Sequence, residues 1–258
     1  MIEQIKEIYQ YREMIWMLVR RDLRGRYKAS VLGFLWTFIN PLLQLGVYTI
    51  VFSVIMRNNI EKYYLFLFIA LIPWMFFSTS IQGGATCIIS QKDMVTKIHF
   101  PRQVIPIAHV TTCFVNMLLC FIVVLLVCGF GIGLNIAVLP YLVPVMLTEY
   151  LLALGICFMV AGTTVYFRDL EHIIGILVML WQFLTPIMYS VEQVPEEIRG
   201  IFMVNPMTSV IVCYRDILYY KQVPQLQNLL LSIGLGLLFL VLGWVLFNHL
   251  QRRFAEEL

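Results

Sequence analysis

The sequence predicts an all-α integral membrane protein with six transmembrane helices, an N-terminal cytoplasmic amphipathic helix, and short re-entrant helices between the fifth and sixth spans. Three observations lead there. Of 258 residues, 60% are hydrophobic and 13% charged, where ordinary soluble domains carry about 25% charged residues, and the mean hydropathy is +0.84. The apolar residues are gathered into long stretches free of Asp, Glu, Lys and Arg. The basic residues cluster beside the ends of those stretches, as membrane topology signals do, so the net charge of +3 implies no nucleic-acid partner.

The first element is amphipathic. Within residues 2–24, Ile2, Ile5, Tyr9, Trp16, Val19 and Leu23 recur at spacings of three, four or seven, while Glu3, Lys6, Glu7, Gln10, Glu13, Arg20 and Arg24 fill the opposite face and Arg12 breaks the stripe once. Such a helix belongs in the plane of a membrane interface. It runs into RRDLRGRYK, where five basic side chains stand within nine positions, and this junction turns the chain from lying on the bilayer to crossing it.

A hydrocarbon core of about 30 Å needs roughly 20 apolar residues in a helix. Charge-free runs cover 31–56, 63–91, 103–148, 150–167, 173–191 and 222–251. The third run is too long for one crossing and breaks at GIGLNIAVLP, where glycines, Asn135 and Pro140 signal a turn. Spans are therefore expected near 31–56, 65–90, 104–130, 141–166, 172–190 and 226–249. Some thirty polar and amphipathic residues precede the first run, which speaks against a cleaved signal peptide. Residues 200–214, GIFMVNPMTSVIVCY, are apolar but short, and Asn205-Pro206 interrupts them. That suits a re-entrant or interfacial hairpin, or a buried loop helix outside the membrane.

With the N-terminus inside, thirteen of the eighteen Lys and Arg residues fall on the cytoplasmic side and five outside, so both termini are expected in the cytoplasm. The basic junction then sits against the anionic inner leaflet, each cation contributing about 1 kcal/mol near the surface. The whole chain, 1–258, reads as one transmembrane domain: a helix and basic junction over 1–30, the membrane region over 31–249, and a cytoplasmic tail over 250–258.

Motifs for catalysis are absent. The sequence holds no GxxxxGK[ST] loop for nucleotide phosphates, no HExxH for zinc and no GxSxG nucleophile elbow. His99, His109, His172 and His249 are scattered, and the six cysteines, at 87, 113, 120, 128, 157 and 213, form no CxxC pair; they read as small core residues. A metal site is not expected. Inside the spans the one clear charge is Glu149, too few for the carboxylate and histidine relay of an ion-driven carrier. It either reaches water or a partner helix, or lies along a translocation path. The inner loops 91–102 (QKDMVTKIHFPR) and 166–172 (YFRDLEH) are short and charged, and serve either as docking knobs for a soluble motor or as solvated connectors.

At these loops the sequence resembles a known family, the membrane subunits of ABC-2 type polysaccharide and polyol phosphate exporters. The likeness follows Arg21-Asp22, Arg26-Tyr27-Lys28, Ser30, Leu32-Gly33, Trp36 and Pro41. It continues through Phe100-Pro101-Arg102, Phe167-Arg168-Asp169, TPIMY at 185–189, Pro195, Asn205-Pro206 and Tyr214-Arg215. Each piece is weak alone, and their order and spacing are specific.

The resemblance implies a permease of the bacterial plasma (inner) membrane that pairs as two copies with two separate ATP-binding cassette subunits. This chain would then carry no cofactor, ATP and Mg being held by the partner. The substrate would be a polyprenyl-linked polysaccharide of O-antigen, capsule or teichoic acid type. The resemblance makes the N-terminal amphipathic helix and the loops 91–102 and 166–172, with Phe100, Pro101, Arg102, Arg168, Asp169 and Glu171, the expected surface meeting the ATPase, and 191–220 a set of short re-entrant helices at the outer mouth. Arg24, Arg26 and Lys28 lie at headgroup depth, where they either recruit the carrier's phosphate or only anchor the first span. Sugar rings stack on aromatic planes, and Trp36, Tyr48, Phe52, Trp181, Phe183 and Tyr189, placed on the first and fifth spans, are expected to line the path or to form interfacial belts. A drug- or lipid-exporting permease of the same architecture is the nearest alternative; a membrane scaffold or membrane enzyme is the alternative of a different class.

Overall fold

The computed structural model describes residues 2–27, 32–57 and 60–257, and among them every regular element is a helix. On the cytoplasmic side of the expected topology stand α1 (Ile2–Gln10) and α2 (Arg12–Tyr27). The first span, Gly33–Ile55, contains α3 (Trp36–Thr49) and ends in a wide π-helical turn, Ile50–Ile55. Then follow α4 (Tyr63–Cys87), α5 (Lys92–Lys97), α6 (Val104–Gly131), α7 (Leu142–Thr164) and α8 (Leu170–Leu184). The chain closes with α9 (Glu196–Val204), α10 (Pro206–Leu218), α11 (Leu226–Leu250) and a last short turn, α12 (Phe254–Glu257).

Five of these elements are long and apolar enough to cross a membrane, and α9 with α10, bent by 97° at Asn205-Pro206, makes a sixth if the bent pair counts as one. The expected fifth span, 172–190, is corrected: α8 has 15 residues, about 22 Å at 1.5 Å per residue, and stops well short of 190. The cause is local. Pro186 disfavours helical backbone at the residue before it, and Thr185 is extended at φ −107°, ψ 132°. Tyr189, expected on this span, therefore lies in the turn beyond it.

Helix α4 is the centre of the bundle. Its side chains from Leu65 to Ile72 are nearly all inaccessible, and α3, α6, α7, α8 and α10 pack around it. Apolar residues on all its faces fit it for this place, as expected of a fully enclosed helix. On one flank α7 and α11 approach backbone to backbone: a Cβ on Gly243 would stand 2.0 Å from the Gly155 carbonyl oxygen, and one on Gly155 would stand 2.4 Å from the Phe239 carbonyl carbon. Only glycine permits that distance, the usual device by which membrane helices gain contact without a hydrophobic driving force.

The N-terminal helices also differ from expectation. A one-residue turn at Tyr11 separates α1 from α2. The buried stripe of α2 is Leu18 and Val19, flanked by Tyr11, Met14, Ile15 and Leu23, against Val104 and Ala108 of α6. Trp16 and Tyr9, assigned by periodicity to the apolar face, are 52% and 66% exposed.

Candidate translocation face and cytoplasmic coupling surface

Helices α3 and α8 flank α4 and present apolar faces outward. Leu42, Leu43, Val47 and Ile50 on the first span, and Ile176, Leu177, Leu180 and Leu184 on α8, are exposed large hydrophobics. The two flanking helices touch through one polar link, the Gln182 amide donating to the Tyr48 hydroxyl at 3.2 Å.

The six aromatic residues expected on the path fall into different settings. Trp36, 41% exposed, stands at the rim of a cavity of about 280 Å³ between the first span, α4 and α6, whose walls include Asn40, Thr79 and Asn116. Phe183 projects outward, 59% exposed. Tyr48 is engaged by Gln182, and the Phe52 ring lies 6.4 Å from that of Tyr63. Trp181 is set edge-on to Phe77 at 5.1 Å and donates its indole N–H to Asn205 Oδ1 at 2.9 Å. Tyr189 donates its hydroxyl back to the Phe183 carbonyl at 2.7 Å, which folds the turn after α8 against the helix end.

Two residues that composition left unassigned hold this turn in place. Asn205 caps α10, its Oδ1 accepting from the Met207 amide at 3.0 Å. Its own amide group donates to the Leu184 carbonyl at 3.1 Å and to Thr185 Oγ1 at 2.9 Å. One side chain thus joins the bend of α9 and α10 to the end of α8, and Pro206 suits the first helical position because its missing N–H is not needed there. Arg215, counted among the outside charges and part of the Tyr214-Arg215 motif, is 3% exposed. It donates to the carbonyls of Pro186 at 2.6 Å, Ile187 at 2.7 Å and Tyr189 at 3.2 Å, and its guanidinium lies 3.5 Å from the Phe66 ring centre. Asn-Pro is legible as a helix start. Nothing in the local sequence marks Arg215 as buried.

Glu149 is wholly buried and accepts a hydrogen bond from the Tyr214 hydroxyl at 2.7 Å. Of the expected alternatives, the structure places it against a partner helix, α10.

At the other end of the bundle, the residues expected to meet an ATPase separate into two groups. Arg168, Asp169 and Glu171 are exposed on the turn from α7 to α8, beside Phe167 at 67% exposure. Phe100 packs on the α2 cluster. Pro101 beside it is half-buried, and Arg102 donates to the Gln251 carbonyl and lies over the Phe254 ring. Tyr166 donates to the Leu250 carbonyl at 2.7 Å, the Gln103 amide donates to Asn248 Oδ1 at 2.6 Å, and the Asn248 amide donates to Gln4 Oε1 at 3.2 Å. So 100–102 fastens α2, the first inner loop and the chain end together, and the solvent-facing part of that loop is 92–93 and 96–99. Of the cations assigned to lipid phosphate, Arg24 is exposed, while Lys28 and the Arg26 side chain lie outside the described residues.

Residues 13–219, from the start of α2 to the end of α10, match the ABC-2 type transporter family. An O-antigen export system permease protein of Myxococcus xanthus is 37% identical to this chain over 264 residues, covering 100% of each. A protein of the same description from Klebsiella pneumoniae is 30% identical over 95% of both chains. A polysialic acid transport protein of Escherichia coli is 24% identical over 77% of this chain and 78% of its own length. The family match covers α3, α8 and both charged turns, and the chain belongs to the ABC-2 type transporter family.

Proposed function

We propose that this chain is the membrane-spanning permease subunit of an ATP-driven exporter that carries a polyprenyl-linked polysaccharide from the cytoplasm across the bacterial inner membrane. The observation that carries the reading is the end-to-end likeness to an O-antigen export permease at 37% identity. Two copies of the chain face each other across the apolar faces of the first span and α8, with the polymer between them, and both termini stay in the cytoplasm. Two ATP-binding cassette subunits dock on the exposed turn at Arg168, Asp169 and Glu171 and on the first inner loop. ATP-driven closure pushes on these turns. Because 100–102 ties that loop to α2 and to the end of α11, the push moves the cytoplasmic ends of several helices as one body and parts the two copies.

Within this scheme Arg24, Arg26 and Lys28 gather the anionic phosphate of the carrier at the inner leaflet, where guanidinium groups favour two-pronged contact. Trp36, Tyr48, Phe52, Trp181, Phe183 and Tyr189 line or brace the path. Helices α1 and α2 rest at the inner interface, and the bent pair α9–α10 re-enters from the outer side. Deleting the chain in its host is expected to remove the polymer from the cell surface and to accumulate carrier-linked polymer inside. Wild-type chain restores export, and a form with Arg168→Ala and Asp169→Ala inserts normally without restoring it. Unchanged surface polymer after deletion would contradict the reading.

A further inference from the structure

A second cavity, of about 220 Å³, lies at the end of the bundle that holds the turn after α8, and Glu192, Arg215, Asp216, Tyr220, Gln222 and Gln225 line it with Phe66. It is built rather than incidental, because Arg215 and Asp216 in its wall are only 3% and 5% exposed. Both nitrogens at the tip of the Arg215 guanidinium donate to carbonyls of the 186–189 turn, and its Nε has no protein partner. Asp216 Oδ1 accepts from the Gln222 amide at 2.9 Å. Burial first, and then the nearby Glu192 carboxylate, hold the pKa of the Tyr220 hydroxyl above the ordinary tyrosine range, so it remains a proton donor.

We propose that this cavity is a subsite for one uncharged sugar ring of the exported polymer. The inference rests on the export reading above and adds the substrate class. Vicinal hydroxyls of a sugar both donate and accept, and the wall offers carboxylates that accept, amides that do both, and a phenol that donates. Two carboxylates stand here against one guanidinium already committed to the backbone. That balance repels phosphate- and carboxylate-bearing units, since like charge brought together across an interface is costly, and the ring seated here is therefore neutral.

The test uses the full chain purified in mild detergent and neutral oligosaccharides released by mild acid from the host's own surface polymer, with binding read by saturation-transfer NMR and titration. Wild type is expected to bind them, and Asp216→Asn and Glu192→Gln each to weaken binding about tenfold, the loss of one charge-assisted hydrogen bond. Glu192 is exposed, so its variant keeps the fold and an unchanged melting temperature. A sialic acid oligomer is expected not to bind. The proposal is overturned if the neutral oligosaccharides fail to bind, if they bind both variants as well as wild type, if the acidic oligomer binds equally, or if every sugar of the host polymer proves acidic. Loss of surface polymer on deleting the chain, together with no oligosaccharide binding, removes the subsite and leaves the export reading standing. Surface polymer that survives the deletion removes both.

Discussion

The pair α7–α11 and the pair α3–α8 occupy opposite roles in one bundle. The first pair is closed: Gly155 and Gly243 let the two backbones touch, and Gly236 comes within 3.1 Å of the Thr148 carbonyl oxygen if given a Cβ. The second pair is open. Its helices each meet α4, join one another through the Gln182–Tyr48 bond, and leave rows of leucine, isoleucine and valine uncovered. A membrane protein gains no hydrophobic advantage from covering apolar surface that lipid already solvates. What separates the pairs is therefore backbone fit: α7–α11 has a fixed geometry within one chain, and α3–α8 leaves its apolar wall uncovered.

That contrast is broken most strongly at the closed pair. Gly243→Leu should cost at least about 1–3 kcal/mol through overpacking, seen as loss of a monodisperse, heat-stable species in detergent. A tolerant response would mean the two backbones are not held at contact. Next in size, Asn205→Ala removes a helix cap worth about 1 kcal/mol together with the bonds to Trp181, Leu184 and Thr185, and should free Trp181 so that its fluorescence shifts to the red. Tyr48→Phe removes one hydrogen bond, about 0.5–1.5 kcal/mol, and should loosen α3 from α8 with little change in overall melting. Last, Leu43→Ala on the outward face of α3 should change the stability of a single chain by no more than about 0.5 kcal/mol while lowering self-association measured by cross-linking. Equal effects from Gly243→Leu and Leu43→Ala would erase the distinction.

Much of the fold was legible because span existence follows from apolar length, and the boundaries of the first four spans and the last agree with the helices to within a few residues. Length alone misread the fifth, where one peptide unit decides: the Thr185-Pro186 bond ends α8 inside a run that stays apolar to Val191. Periodicity misplaced Trp16 because spacing alone does not choose between neighbouring apolar stripes of α2, and the stripe that meets α6 is centred on Leu18 and Val19. The aromatic residues show the limit for the site. Their type suggested a sugar path, yet whether Trp181 projects or is tied to Asn205 depends on a contact between residues 24 positions apart. Arg215 is the sharper case. Charge counting places a cation in an outer loop, and only the fold brings three carbonyls of the 186–189 turn within reach of it.

The central claim, a permease worked by a separate motor, is tested most directly by purifying the chain from its native membrane in mild detergent, identifying equimolar partners, and assaying ATP hydrolysis. The account predicts a complex containing two copies of this chain and two of a second chain that carries a phosphate-binding loop and hydrolyses ATP. A chain that purifies alone and without ATPase activity, under conditions that keep related complexes intact, would contradict it.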